Sequence, residues 1–175
     1  MHTVLVSVSS RDRPGLVAAI AGLLFDCGAN LGDSSFAVLA GGAEFTAVCQ
    51  LPPHVDAAAL QAQLAVLPDL AQASITVKSM AAASPSAANA HITHLLTVGG
   101  GDRPGLVARL AELFAGFKVN IVRMDAQTLP DGGHGRYVIR FALYIPASAV
   151  QSCLAGVDST AGEMGLTCHW TAEPG

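Results

Sequence analysis

Charge is scarce in this chain. Only 13% of the 175 residues are charged, and the net charge is −4. No run of Lys or Arg occurs anywhere, which argues against direct binding to nucleic acid. Aromatic residues are also few, at 5%. The four cysteines, Cys27, Cys49, Cys153 and Cys168, form no C-x-x-C pair and have no partners at zinc-site spacing. They read as reduced thiols in a cytoplasmic protein. The start of the chain lacks the basic region and apolar core of a signal peptide. The longest apolar run, residues 16–25, is interrupted by Gly22 and is too short to span a bilayer. No phosphate loop, dinucleotide motif or zinc pattern is present, so the expectation is no cofactor, no metal and no enzyme. Apolar residues, by contrast, make up 51%. So few charges leave apolar surface uncovered, and that surface predicts a homo-oligomer.

What the chain does have, it has twice. Residues 12–18, Asp-Arg-Pro-Gly-Leu-Val-Ala, return unchanged at 102–108. The same offset aligns Leu23 with Leu113 and Asn30-Leu31 with Asn120-Ile121. A match of this length at constant offset marks a duplicated unit. It divides the chain into a first domain at 1–79, a linker at 80–90 and a second domain at 91–175. The linker residues are small and polar with a proline and show no apolar period.

The repeated heptapeptide follows an apolar, β-branched stretch and precedes a helical pattern. Proline suits the first position of a helix, so helices are expected over 14–27 and 104–117. Their opening turns offer unpaired N–H groups that attract a carboxylate. Gly15 and Gly105 remove a Cβ from that approach. Asp12 and Asp102 add a carboxylate for an ammonium group. Together these groups suit an amino acid. The same residues also make an ordinary helix start, with Asp as a cap.

In the first unit, strands are expected at 2–9, 31–39, 44–51 and 74–78. Gly28 closes the first helix. Asp56 caps a second helix that carries Leu60, Leu64 and Leu67 and stops before Pro68. In the second unit, strands are expected at 91–98, 120–129, 136–145 and 166–171, with a hairpin loop at 130–135. A helix within 146–164 has Ser148 as its cap and Gly165 as its end. The order βαββαβ predicts an α+β chain of two tandem ferredoxin-like domains. Each has an antiparallel four-stranded sheet with two helices on one face.

The D-R-P-G turn, its apolar helix and the G-x-N-[LI] entry into the second strand resemble the ACT domain, a small-molecule-sensing module. With two units and little else, and with the stretch from Cys27 to Ser34, the chain resembles the glycine cleavage system transcriptional repressor group. The resemblance implies an amino-acid effector, glycine foremost, held at an interface between ACT domains. It implies contacts from Asp12, Gly15, Leu16, Asn30 and Leu31, and from Asp102, Gly105, Leu106, Asn120 and Ile121. It also implies regulation of transcription through a protein partner, a DNA-binding activator, rather than through DNA. Asn can donate and accept, which suits it to an amino acid, but it also tolerates left-handed geometry at helix ends. The rival readings are an interaction module that has lost its ligand, or a free-standing regulatory subunit of a metabolic enzyme.

Other pairings carry less. His91 and His94 lie three apart on an expected strand and face opposite sides. Cys168 and Trp170 are expected to be packing residues, and His134 to be an exposed loop residue.

Overall fold

The computed structural model describes residues 1–80, 91–101, 103–130 and 136–173. The chain forms two compact units, Met1–Ser84 and Pro85–Gly175. The linker stretch 81–90 and His134 lie outside the described residues.

In the first unit, β1 (His2–Arg11) leads to α1 (Leu16–Asp26), and β2 (Asn30–Leu39) and β3 (Gly42–Leu51) form a hairpin. Then come α2 (Ala57–Ala65), a 3-10 turn at Pro68–Leu70 and β4 (Ser74–Met80). The second unit repeats the order with β5 (His94–Gly101), α3 (Leu106–Gly116), β6 (Asn120–Leu129), β7 (Arg136–Tyr144), α4 (Val150–Glu163) and β8 (Thr167–Ala172). The strand orders are β2-β3-β1-β4 and β6-β7-β5-β8, all antiparallel. This is the α+β, twice ferredoxin-like architecture expected from the periodicity.

Alternation on the central strands builds each core. Val4, Val6 and Val8 of β1 are buried together with Leu16, Ile20 and Leu24 of α1 and Leu60 and Leu64 of α2. The spacing of four puts each helical set on one stripe. In the second unit the equivalents are Leu96 and Val98 with Leu106, Leu110 and Phe114, and with Cys153 and Val157 of α4. Phe114 meets Phe141 edge to face, with ring centroids 5.4 Å apart. The odd residues of β1, by contrast, face away from the helices on an open side of the sheet.

Three local features differ from the sequence expectations, each for a backbone reason. Both repeated helices begin at leucine, not proline. Gly15 has φ 88° and Gly105 φ 83°, which no right-handed helix admits. Arg13-Pro14-Gly15-Leu16 is instead a type II turn, with Leu16 N–H donating to the Arg13 carbonyl at 3.4 Å. Ser148 does not cap α4. It lies inside a 3-10 turn, Ala147–Ala149, and Ala149 occupies the cap position without a side-chain bond. The fifth strand starts at His94 rather than at 91, and the Thr93 hydroxyl accepts from Ile145 N–H at 2.9 Å. Asp56, as expected, caps α2, accepting from Ala59 N–H at 2.6 Å.

Gly28 and Gly165 end their helices with positive φ. At the first, Ala29 N–H donates to Leu24 and Gly28 N–H to Phe25, the Schellman pattern. The end of α3 has the same bonds, but its left-handed residue is Lys118, at φ 57°.

The edge strands β2 and β6 each carry one extra residue just after Asn30-Leu31 and Asn120-Ile121. At the first bulge, a Cβ on Gly32 would lie 3.1 Å from the Val48 carbonyl, so the chain comes close to β3 there. Nearly all of β2 is exposed, including Leu31, Phe36, Val38 and Leu39.

All four cysteines are free thiols. Burial raises the pKa of each, to about 11 for Cys153 and for Cys168, where Asp158 adds to the effect. Trp170 packs on the second core and its indole N–H donates to Asp158 at 3.3 Å. His91 meets the Tyr144 ring edge to face at 4.7 Å.

Candidate functional site

The type II turn sets up the surroundings of Asp12. Asp12 N–H donates to the Gly41 carbonyl at 3.0 Å, which ties the end of β1 to the β2–β3 hairpin and leaves the carboxylate exposed. Gly15 then directs the chain into α1, and its carbonyl accepts the first helical bond, from Ala19 at 2.9 Å. The amides of Val17 and Ala18 follow, in the turn where a helix has no internal acceptors to offer. A depression of about 440 Å³ lies over this segment, walled by Asp12 to Ala18 and by the ring of Phe36 from β2. A carboxylate, helix-start amides and an aromatic wall therefore share one surface. That combination suits a small zwitterion.

Arg13 points elsewhere. Its Nη2 lies 2.6 Å from Asp69 Oδ1 and its Nε donates to the Asp69 carbonyl at 3.2 Å. The side chain thus fastens the turn to the 3-10 segment before β4. It borders a second hollow of about 600 Å³ with Ser9, Ser10 and Arg11.

The strand register decides which expected residues meet. Asn30 pairs with Gln50, and Gln50 pairs with Thr3. Asp12 lies nine residues further along the same chain, which at strand rise is about 30 Å. Asn30 and Leu31 therefore sit at the opposite end of the sheet from Asp12 and Gly15. Within a unit they form two separate groups, not one. Leu31 is exposed, and Asn30 is exposed at the mouth of the bulge. The side chains of Leu16 and Leu106 are in the cores, which leaves only their main chain near the turns.

The second unit offers the same turn with different walls. Leu106 N–H donates to the Arg103 carbonyl at 3.2 Å, and Arg109 N–H to Gly105 at 3.0 Å. Asp102 lies outside the described residues. Asn120 is exposed and Ile121 half-buried. Opposite Ile139, where the first unit has Phe36 opposite Phe45, stands Ala126. The ring on this face is instead Tyr137 of β7, opposite Gly100 and packed on the second core. Phe36 was not legible as a site residue. Its only signal was a large apolar residue in a weakly alternating strand, and the register alone brings it to the turn. Among the described residues no cluster of His, Cys, Asp and Glu could hold a metal ion, and no helix is long and apolar enough to cross a membrane.

The ACT domain family model matches residues 2–78. The first unit is an ACT domain. The second repeats the ACT strand order, turn and bulge. Among solved structures, the chain is similar to a protein of unknown function from Galdieria sulphuraria, at 22% identity and TM-score 0.82, covering 99% of each chain. It is also similar to a candidate glycine cleavage system transcriptional repressor, at 14% identity and TM-score 0.70, covering 99% of this chain and 98% of that one. At these identities the likeness is one of fold. No curated protein sequence matches the chain.

Proposed function

We propose that this tandem ACT protein senses a small amino acid and passes its state to a protein partner. The observation that carries the reading is the surface at the first turn, where the Asp12 carboxylate, the opening amides of α1 and the Phe36 ring converge. Asp12 takes the ammonium group, the amides of Val17 and Ala18 take the carboxylate, and Phe36 shields the pair from water. Gly15 holds the backbone open. Gly105 does the same in the second unit, where Ala126 replaces Phe36 and binding is weaker. Asn30, Leu31, Asn120 and Ile121 form a second contact group at the far ends of their sheets.

Glycine is the first ligand to test. A wall as close as Phe36 favours a small side chain, and the glycine cleavage repressor shares the fold over the whole chain. The partner we propose is a DNA-binding activator in the cytoplasm, because the chain is acidic and lacks basic runs of its own. Ligand binding changes partner affinity only where it favours one arrangement over another.

A thermal-shift screen against the twenty amino acids, repeated on Asp12→Ala and Phe36→Ala, tests the reading. The expected result is a shift with one small amino acid that both variants lose. If no amino acid shifts the wild type, the second reading stands: an interaction module without effector. What favours that reading is the bare apolar edge strand, with Leu31, Phe36, Val38 and Leu39 all exposed.

A further inference from the structure

The register of the second sheet gathers cations on its open face. Arg140 of β7 stands between Asp125 of β6 and Thr97 of β5. One step along, Ala142 stands between Arg123 and Leu95. Directly opposed residues on one face have Cβ atoms about 5 Å apart and diagonal ones about 7–8 Å, so Arg140 and Arg123 are close neighbours. Arg136 joins them from the end of β7. A Cβ on Gly99 would lie 3.3 Å from its Nη2 and 3.6 Å from its Nε, so the glycine makes room for the guanidinium to lie across the sheet. Three of the chain's nine basic residues thus share one face.

The fold does not require them. In the first unit Thr46 holds the lattice position of Arg140 and Gly42 that of Arg136, and the repeat offset puts Asp33 at that of Arg123. One acid, Asp125, stands among them, opposite Arg140 on the neighbouring strand. Arg123 Nε is 3.7 Å from Asp125 Oδ2, and among the described residues Arg140 makes no ion pair. Between Arg123 and Arg140 lies a hollow of about 140 Å³, floored by Leu95 and Ala142 and edged by Thr97 and by Asp125, the acid beside Arg123.

We propose that this hollow binds a small dicarboxylate, at a site separate from the Asp12 turn. Arg140 presents a planar fork to one carboxylate, and the other takes the Nη groups of Arg123, whose Nε faces Asp125. The Thr97 hydroxyl adds a donor. The apolar floor receives the carbons between the two charges, which a compact phosphate lacks. Both arginines are exposed, so the complex is weak and sensitive to salt.

The test is an NMR titration of the full chain with succinate at low salt, with acetate and inorganic phosphate as comparison ligands. The expected result is saturable binding that perturbs Thr97, Arg123 and Arg140, with acetate and phosphate much weaker. Arg140→Gln and Arg123→Gln should each weaken succinate by about tenfold, as loss of a charge-assisted pair predicts. Asp12→Ala should leave it unchanged. The positions are on the surface, and unaltered spectra elsewhere in the sheet confirm that the variants fold. The proposal is overturned by non-saturable binding, by phosphate or acetate matching succinate, by arginine variants that bind normally, or by loss of binding in Asp12→Ala.

Discussion

The two units follow one backbone and diverge on their surfaces. At the repeated turn, Gly15 and Gly105 have the same left-handed geometry and the same bond back to the arginine. Beside that turn, the first unit places Phe36 and the second Ala126. On the open sheet face Thr46 of the first unit stands where the second has Arg140. The comparison separates what the fold demands from what each copy was free to change. The turn glycines recur at the same offset because their left-handed geometry is fixed, and the core positions stay apolar even where Leu24 becomes Phe114. Of the exposed residues some recur, as Asp12 and Asn30 do at 102 and 120, and others such as Phe36 and Thr46 do not.

The largest way to break this symmetry is through the cores. Leu24 and Phe114 occupy equivalent buried positions on α1 and α3. Phe114→Ala should cost about 3–5 kcal/mol and Leu24→Ala about 2–5 kcal/mol, measured by urea unfolding. The phenylalanine loses its contact with Phe141 as well as volume.

Next in size is a pH effect centred on the second unit. Cys153 and Cys168 have folded pKa values near 11, above the thiol's ordinary 9.0. The folded chain therefore keeps protons that the unfolded chain releases. Stability is full below about pH 9 and falls as pH rises towards 11, by on the order of 2 kcal/mol for each thiol. Unfolding midpoints at pH 8 and pH 10.5 check this. Probes in the first unit, Cys27 and Cys49, should report a smaller loss.

Smaller again are the turn glycines. Gly15→Ala and Gly105→Ala should each cost about 1–2 kcal/mol, because alanine must adopt the left-handed region. Equal losses would confirm that the glycines serve the backbone alike in both units. The smallest expected effect has the opposite sign. Lys118 occupies the left-handed cap position that Gly28 fills in the first unit. Lys118→Gly should stabilise the chain by up to about 1 kcal/mol. Gly28→Lys should destabilise it by a similar amount.

Much of the fold was legible in the sequence because its signals are local. The stripe of Leu16, Ile20 and Leu24, the Asp56 cap and the Gly28 end each depend on residues within a few positions of one another, and the repeat at 102–108 shows the same local signals a second time. What was not legible depends on pairing across the sheet. Asp12 and Asn30 are separated by one helix in sequence, and nothing in that spacing says they lie at opposite ends of β1 and β2. The register says so. Phe36 comes to the turn by the same register. Pro14 misled for a subtler reason: proline suits a helix start and a type II turn equally, and the positive φ of Gly15 decides between them.

The bulge in β2 has a consequence for how the protein behaves at high concentration. A bare edge strand carrying Leu31, Phe36, Val38 and Leu39 is a template for another chain's backbone. Regular pairing on β2 resumes only at Ser34, so an incoming strand meets an unbroken ladder over residues 34–39 alone. The extra residue after Leu31 twists the remainder out of line. One irregularity thus shortens the sticky length of the edge and guards the chain against open-ended stacking into fibres.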